Sequence, residues 1–187
     1  HLESLGPSLP LHGFRADQHR AQGRYRDSAE ELREALKLQP GDLQLQKDLA
    51  ASLYLSRNYS EAEPLLRQLL EQQPAAADLQ FLLGDTLLQL QRTEKAIPLL
   101  AKAVQSDPKL LPAHSALGRG LVQSGKAAEA IPHLKAALPM DEDGSVHYQL
   151  VRAYQLAGRK QLAAQTMRKY HESQKGNAAA RKELASE

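Results

Sequence analysis

The sequence predicts an all-α solenoid of stacked antiparallel helix pairs, and three observations predict it. Prolines recur in two series, Pro40, Pro74, Pro108 and Pro64, Pro98, Pro132, at a spacing of 34 residues in each. The residues between them are mostly Ala, Leu, Gln, Glu, Lys and Arg, all good helix formers. Val, Ile and Thr are sparse and aromatics make up 4%, which argues against strands. A fixed period of this length marks a repeat architecture, in which each unit buries its apolar face only against its neighbours.

The elements follow from the register. With Leu43 as position 1 of a 34-residue unit, position 7 reads Leu49, Leu83, Leu117 and position 8 reads Ala50, Gly84, Gly118. Position 11 reads Leu53, Leu87, Leu121, and position 20 reads Ala62, Ala96, Ala130. Position 24 reads Leu66, Leu100, Leu134, and position 27 reads Leu69, Ala103, Ala137. Positions 4, 7, 8 and 11 form one helical stripe, and 20, 24, 27 and 28 form another. Small residues at 8 and 20 let the two backbones approach closely. Position 15, occupied by Gly23, Arg57, Gln91 and Gly125, is the turn between the helices, where glycine suits a helix end. Ser60 is expected to cap the second helix, with Glu63 completing a capping box. That start makes Pro64 about the fourth helical residue, where its missing N–H sacrifices little. Pro40, Pro74 and Pro108 mark where second helices stop.

The units fall at about 13–42, 43–76, 77–110, 111–143 and 144–175, inside an array covering 13–175. Four are full. The first is partial, because "GFRADQHRAQ" carries little apolar stripe. The last fits after a one-residue deletion near "PMDEDG", which gives Leu150, Tyr154, Gly158 and Ala163 positions 7, 11, 15 and 20. Residues 1–12 have the composition of a linker. Residues 176–187 read as a polar tail or capping helix, with Asn177 as its N-cap. The chain opens at His1 without an initiator Met, which reads as a fragment or a processed product.

The register resembles the tetratricopeptide repeat family. "FLLGDTLLQLQRTEKAIPLLAKAVQSDP" and "HSALGRGLVQSGKAAEAIPHLKAAL" carry its pattern, although the first-helix Trp is missing and Tyr becomes Leu. The resemblance implies a right-handed α-solenoid whose first helices line a concave groove for peptides, usually through positions 2, 5, 9 and 12. On this chain the groove residues are then Lys47, Tyr54, Phe81, Asp85, Leu88, Arg119, Val122, Tyr148 and Arg152. Tyr54, Phe81 and Leu88 make an apolar end, and Arg119 and Arg152 make a basic one. A protein or peptide with apolar anchors and an acidic group fits them, since arginine forks onto carboxylates. The family's carboxylate clamp for chaperone tails is not expected. Only Lys47 matches it, and Ala51, Leu82, Pro112 and Ala116 do not.

Other chemistries are not signalled. The chain has no cysteine, so it has no disulfide framework, thiol nucleophile or thiolate metal site. The net charge is +2, weak evidence for any polyanion. The segment from Arg159 to Glu187 holds seven Lys/Arg against three Glu. It lacks interleaved aromatics, so nucleic acid is not an expected partner. No apolar run approaches the roughly 18 residues of a membrane span. "GLVQSGKA", Gly120 to Ala127, imitates a P-loop core, but Ala127 stands where magnesium needs Ser or Thr and no strand precedes it. The seven histidines show no zinc spacing. His114 and His147 share position 4, a packing site. Asp141, Glu142 and Asp143 read as a solvated loop. No catalytic residue, cofactor site or metal site is expected.

These observations predict a non-catalytic scaffold that binds a protein or peptide in its groove. The alternatives are a non-catalytic arm of a larger enzyme or secreted protein, and a homo-oligomerisation module that uses apolar surface left by the incomplete first unit.

Overall fold

The computed structural model describes the backbone of residues 9–184 and the side chains of residues 9–172 and Gln174. Among these residues there are ten α-helices and no strand: α1 Leu9–Ala21, α2 Tyr25–Leu38, α3 Leu43–Leu55, α4 Tyr59–Gln72, α5 Ala77–Gln89, α6 Thr93–Ser106, α7 Leu111–Gln123, α8 Ala127–Ala137, α9 Ser145–Leu156 and α10 Lys160–Leu184. A 3-10 turn, Leu138–Met140, follows α8. The chain forms two compact units, His1–Leu99 and Leu100–Glu187, which divide within α6. In the first, α1 packs on α2, α2 on α3, α3 on α4, α4 on α5, and α3 also on α5. In the second, α7 packs on α8, α8 on α9, α9 on α10, and α7 also on α9.

The second-helix stripe is the driest part of the fold. Ala62, Leu66, Leu69, Ala96, Leu100, Ala103, Ala130, Leu134 and Ala137 all have 0% exposure. These are positions 20, 24 and 27 in three successive repeats. Each buried leucine contributes roughly 1.5–3 kcal/mol relative to exposure. Across α7 and α8 the backbones come so close that a Cβ on Gly118 would sit 2.5 Å from Leu134 Cγ.

Each hairpin closes in the same way. Gly23, Arg57, Gln91, Gly125 and Gly158 all have positive φ, between 60° and 79°. In each, the N–H of that residue and of the next bond back to first-helix carbonyls. Arg57 N donates to Tyr54 O at 3.0 Å and Asn58 N to Leu53 O at 2.8 Å. The pair of bonds is a Schellman motif. Arg57 and Gln91 adopt this left-handed geometry with side chains that oppose it, at about 1–2 kcal/mol each.

Several boundaries differ from expectation. Asn58, not Ser60, is the N-cap of α4, because the Schellman turn leaves one residue between Arg57 and the helix. The side chain of Asn58 donates to Glu61 rather than capping. Pro64 is therefore the sixth residue of α4, and Pro98 and Pro132 are the sixth of α6 and α8. One rung of each ladder is absent. Ser60, Glu94 and Ala128 would have accepted it, and all three are exposed, so water can satisfy their carbonyls. Among the described residues α1 reaches back to Leu9, into the stretch read as linker, and Leu11 and His12 are buried in it. Asn177 lies inside α10 and starts no separate helix.

Candidate functional site

The first helices α3, α5, α7 and α9 are set by their entry turns, and position 4 holds each turn. Gln46 Nε2 donates to Pro40 O at 2.9 Å, and Gln80 Nε2 to Pro74 O at 2.6 Å. His114 Nε2 lies 3.1 Å from Pro108 O, and because a carbonyl only accepts, the ring donates. In the shortened last unit Asp141 stands where the others have proline. Its buried carboxylate accepts the N–H groups of Val146 and His147 at 3.0 and 2.9 Å, and also bonds His147 Nδ1. Asp143 caps Ser145 N at 2.9 Å, and that bond holds its carboxyl below the usual range. The acidic loop is thus an N-terminal cap for α9, not merely a solvated one. Among the described residues no group of three or more His, Asp or Glu is placed to hold a metal ion.

With position 4 turned inward, position 5 is left open. In the first unit Lys47, Tyr54 and Phe81 are partly exposed. The Tyr54 ring meets Phe81 and Tyr59 edge-on, at centroid distances of 6.3 and 6.0 Å. Its hydroxyl donates to Asp85 Oδ2 at 2.7 Å. Asp85 and Leu88, expected on the groove surface, are instead 5% and 2% exposed. Leu88 gains by leaving water, and the Tyr54 hydroxyl offsets the desolvation of the Asp85 carboxylate. In the second unit Tyr148 is 60% exposed. Arg152, one helical turn on, is exposed, and Arg119 on α7 is half-buried. Val122 is only 3% exposed, buried for the same reason as Leu88.

The P-loop-like segment is a hairpin corner. Gly120 to Gln123 end α7, Gly125 takes φ +79°, and α8 begins at Ala127. No strand lies there, and the glycine serves the turn.

Two polar pairs were not foreseen. His12 Nδ1 lies 2.7 Å from Glu31 Oε2, and His114 Nδ1 lies 3.1 Å from His133 Nδ1. Both join positions 4 and 23, and the shared spacing of 19 residues is the signal that could have found them. A third pair, Ser28 Oγ and Ser52 Oγ at 3.2 Å, is buried between α2 and α3. Since His114 donates through Nε2, its Nδ1 accepts from His133. Burial, and then the neighbouring His114, push the His133 pKa down.

Helix hairpins that repeat the same turn define a helical-repeat protein. The chain belongs to the tetratricopeptide repeat family: profiles of that repeat match residues 48–110 and 115–182, and a further one matches 19–75. No curated protein matches the sequence. Solved structures of MamA are similar in fold. "MamA 41-end from Desulfovibrio magneticus RS-1" superposes with a TM-score of 0.79 at 19% identity, covering 91% of this chain and 97% of that one. "MamA RS-1 ArsTM double mutant" gives 0.80 at 18% identity, covering 93% and 98%. A MamA AMB-1 structure gives 0.74 at 25% identity, covering 88% and 98%. Among the described residues, no helix is long and apolar enough to cross a membrane.

The His133 shift has a defined sign. The unfolded chain binds a proton near the ordinary histidine value of about 6.5, whereas folded His133 resists it. Its contribution to stability is therefore complete above that value and is lost as pH falls below it. Thermal unfolding between pH 8 and 5 should show the midpoint falling below about pH 6.5, and less steeply in His133→Gln. Equal slopes in the two proteins would contradict this.

Proposed function

We propose that this chain is a non-catalytic tetratricopeptide repeat scaffold that takes protein or peptide segments on its first-helix faces. The observation that carries the reading is position 5. Lys47, Phe81, Ser115 and Tyr148 all remain at least partly exposed, while positions 7 and 8 on the same helices are buried. The face of the first unit, Lys47, Tyr54 and Phe81, suits apolar anchors, with Asp85 orienting Tyr54 from beneath. The face of the second unit offers Tyr148 for stacking, and Arg119 and Arg152 for a carboxylate.

Titration calorimetry with a peptide bearing leucine or aromatic anchors beside an acidic residue tests this reading. Tyr148→Ala and Arg152→Glu should each weaken binding by about tenfold, or ~1.4 kcal/mol. Both side chains are exposed, so the fold should be unaffected. Affinity unchanged in both variants rules the reading out. A second reading, self-association through the first unit, rests on Phe14, which stands 55% exposed on α1. It predicts a mass that rises with concentration in light scattering and stays constant in Phe14→Glu.

A further inference from the structure

The first unit, residues 1–99, contains eight arginines. Arg20, Arg24, Arg33, Arg67 and Arg92 are paired with carboxylates, and Arg15 is also engaged. The guanidinium groups of Arg26 and Arg57 alone have no hydrogen-bond or ion-pair partner among the described residues. These two line the same pair of adjoining clefts, of about 310 and 430 Å³, where α2 meets the α3–α4 turn.

The anions around them are already served. Arg33 bonds both Glu30 and Glu61, and Arg24 lies 3.7 Å from Asp27. Asn58 adds a bond to Glu61 at 2.8 Å. Two guanidinium forks are left over, above a floor that includes Ala29 and Leu53. Arg57 also occupies the corner at φ +62°, where three of the five hairpins have glycine. Gln91 bears the same strain without a charge, so strain alone does not mark a site. A second uncompensated guanidinium in the same cleft does. Backbone strain that persists beside unpaired cations points toward function.

We infer that Arg26 and Arg57 together bind a phosphomonoester. A carboxylate offers two oxygens and is satisfied by one guanidinium fork, whereas a phosphomonoester offers three and can take both. This site lies on α2 and the α3–α4 turn, and it does not depend on the first-helix faces described above.

The test is an amide NMR titration of the whole chain with inorganic phosphate, then with a phosphoserine peptide and its unphosphorylated form. Phosphate should cause saturable shifts at residues 56–58. Arg26→Gln and Arg57→Gly should each weaken binding about tenfold or more. Lys102→Gln, an exposed residue of α6 outside both proposed sites, should bind as the parent does. Arg57→Gly should also raise the thermal midpoint, by roughly 2–4 °C, because it relieves the left-handed strain. Binding lost while stability rises cannot be caused by unfolding. Tighter binding of the phosphopeptide than of phosphate supports a protein-borne ligand, and equal binding supports a free or small-molecule phosphate. No saturable shift, or binding undiminished in both arginine variants, overturns the inference.

Discussion

Each hairpin depends on how closely two helical backbones can approach. In α7 and α8 the limit is visible in atoms: Leu134 fills the space where Gly118 lacks a Cβ. Position 8 also carries a small residue in the two preceding units, Ala50 and Gly84, and position 20 is alanine in three units. In α7 and α8 the small residue on one helix faces a leucine on the other, and the second-helix stripe loses all contact with water. Interiors packed this tightly tolerate little added volume. The close approach therefore constrains both the sequence period and the direction in which the remaining side chains can point.

Once the backbones are close, the ends of the helices decide the rest. The left-handed corner closes the two helices of a unit, and the position-4 side chain ties the first helix to the turn before it. Gln46, Gln80 and His114 do this with different chemistry and one geometry, and His147 does it through Asp141. A polar side chain directed inward at position 4 leaves its neighbour at position 5 for solvent or for a ligand. The exposed face is in this sense a consequence of satisfying the turn carbonyls. Asp85 extends the logic one layer down, because a buried carboxylate fixes the ring that the surface presents.

The period, the two stripes and the turn glycines were legible because each demands a residue type at a fixed place. Proline, glycine and alanine carry those demands plainly. The start of the second helix was not legible. Ser60 and Glu63 look like a capping box, but the hydrogen bonds of the turn at Arg57 set the start two residues earlier than that box implies. The first helix was discounted for its weak apolar stripe, yet Leu11, His12 and Ala16 are buried in it and His12 bonds Glu31 on α2. Leu88 and Val122 were placed on the groove by family register, whereas their own hydrophobicity put them in the core. The clefts around Arg26 and Arg57 gave no linear signal, since nothing in the order of residues says which arginines lack partners.

A double-mutant cycle between Gly118 and Leu134, read by urea unfolding, tests the close-approach account most directly. Gly118→Ala alone should destabilise by about 1–3 kcal/mol through overpacking, and Leu134→Ala alone by about 2–5 kcal/mol. The double variant should lose clearly less than the sum, by about 1 kcal/mol or more, because the new methyl occupies the space the leucine vacated. Strictly additive losses would mean that the two residues do not share that space, and the close approach would not be the constraint on which this fold rests.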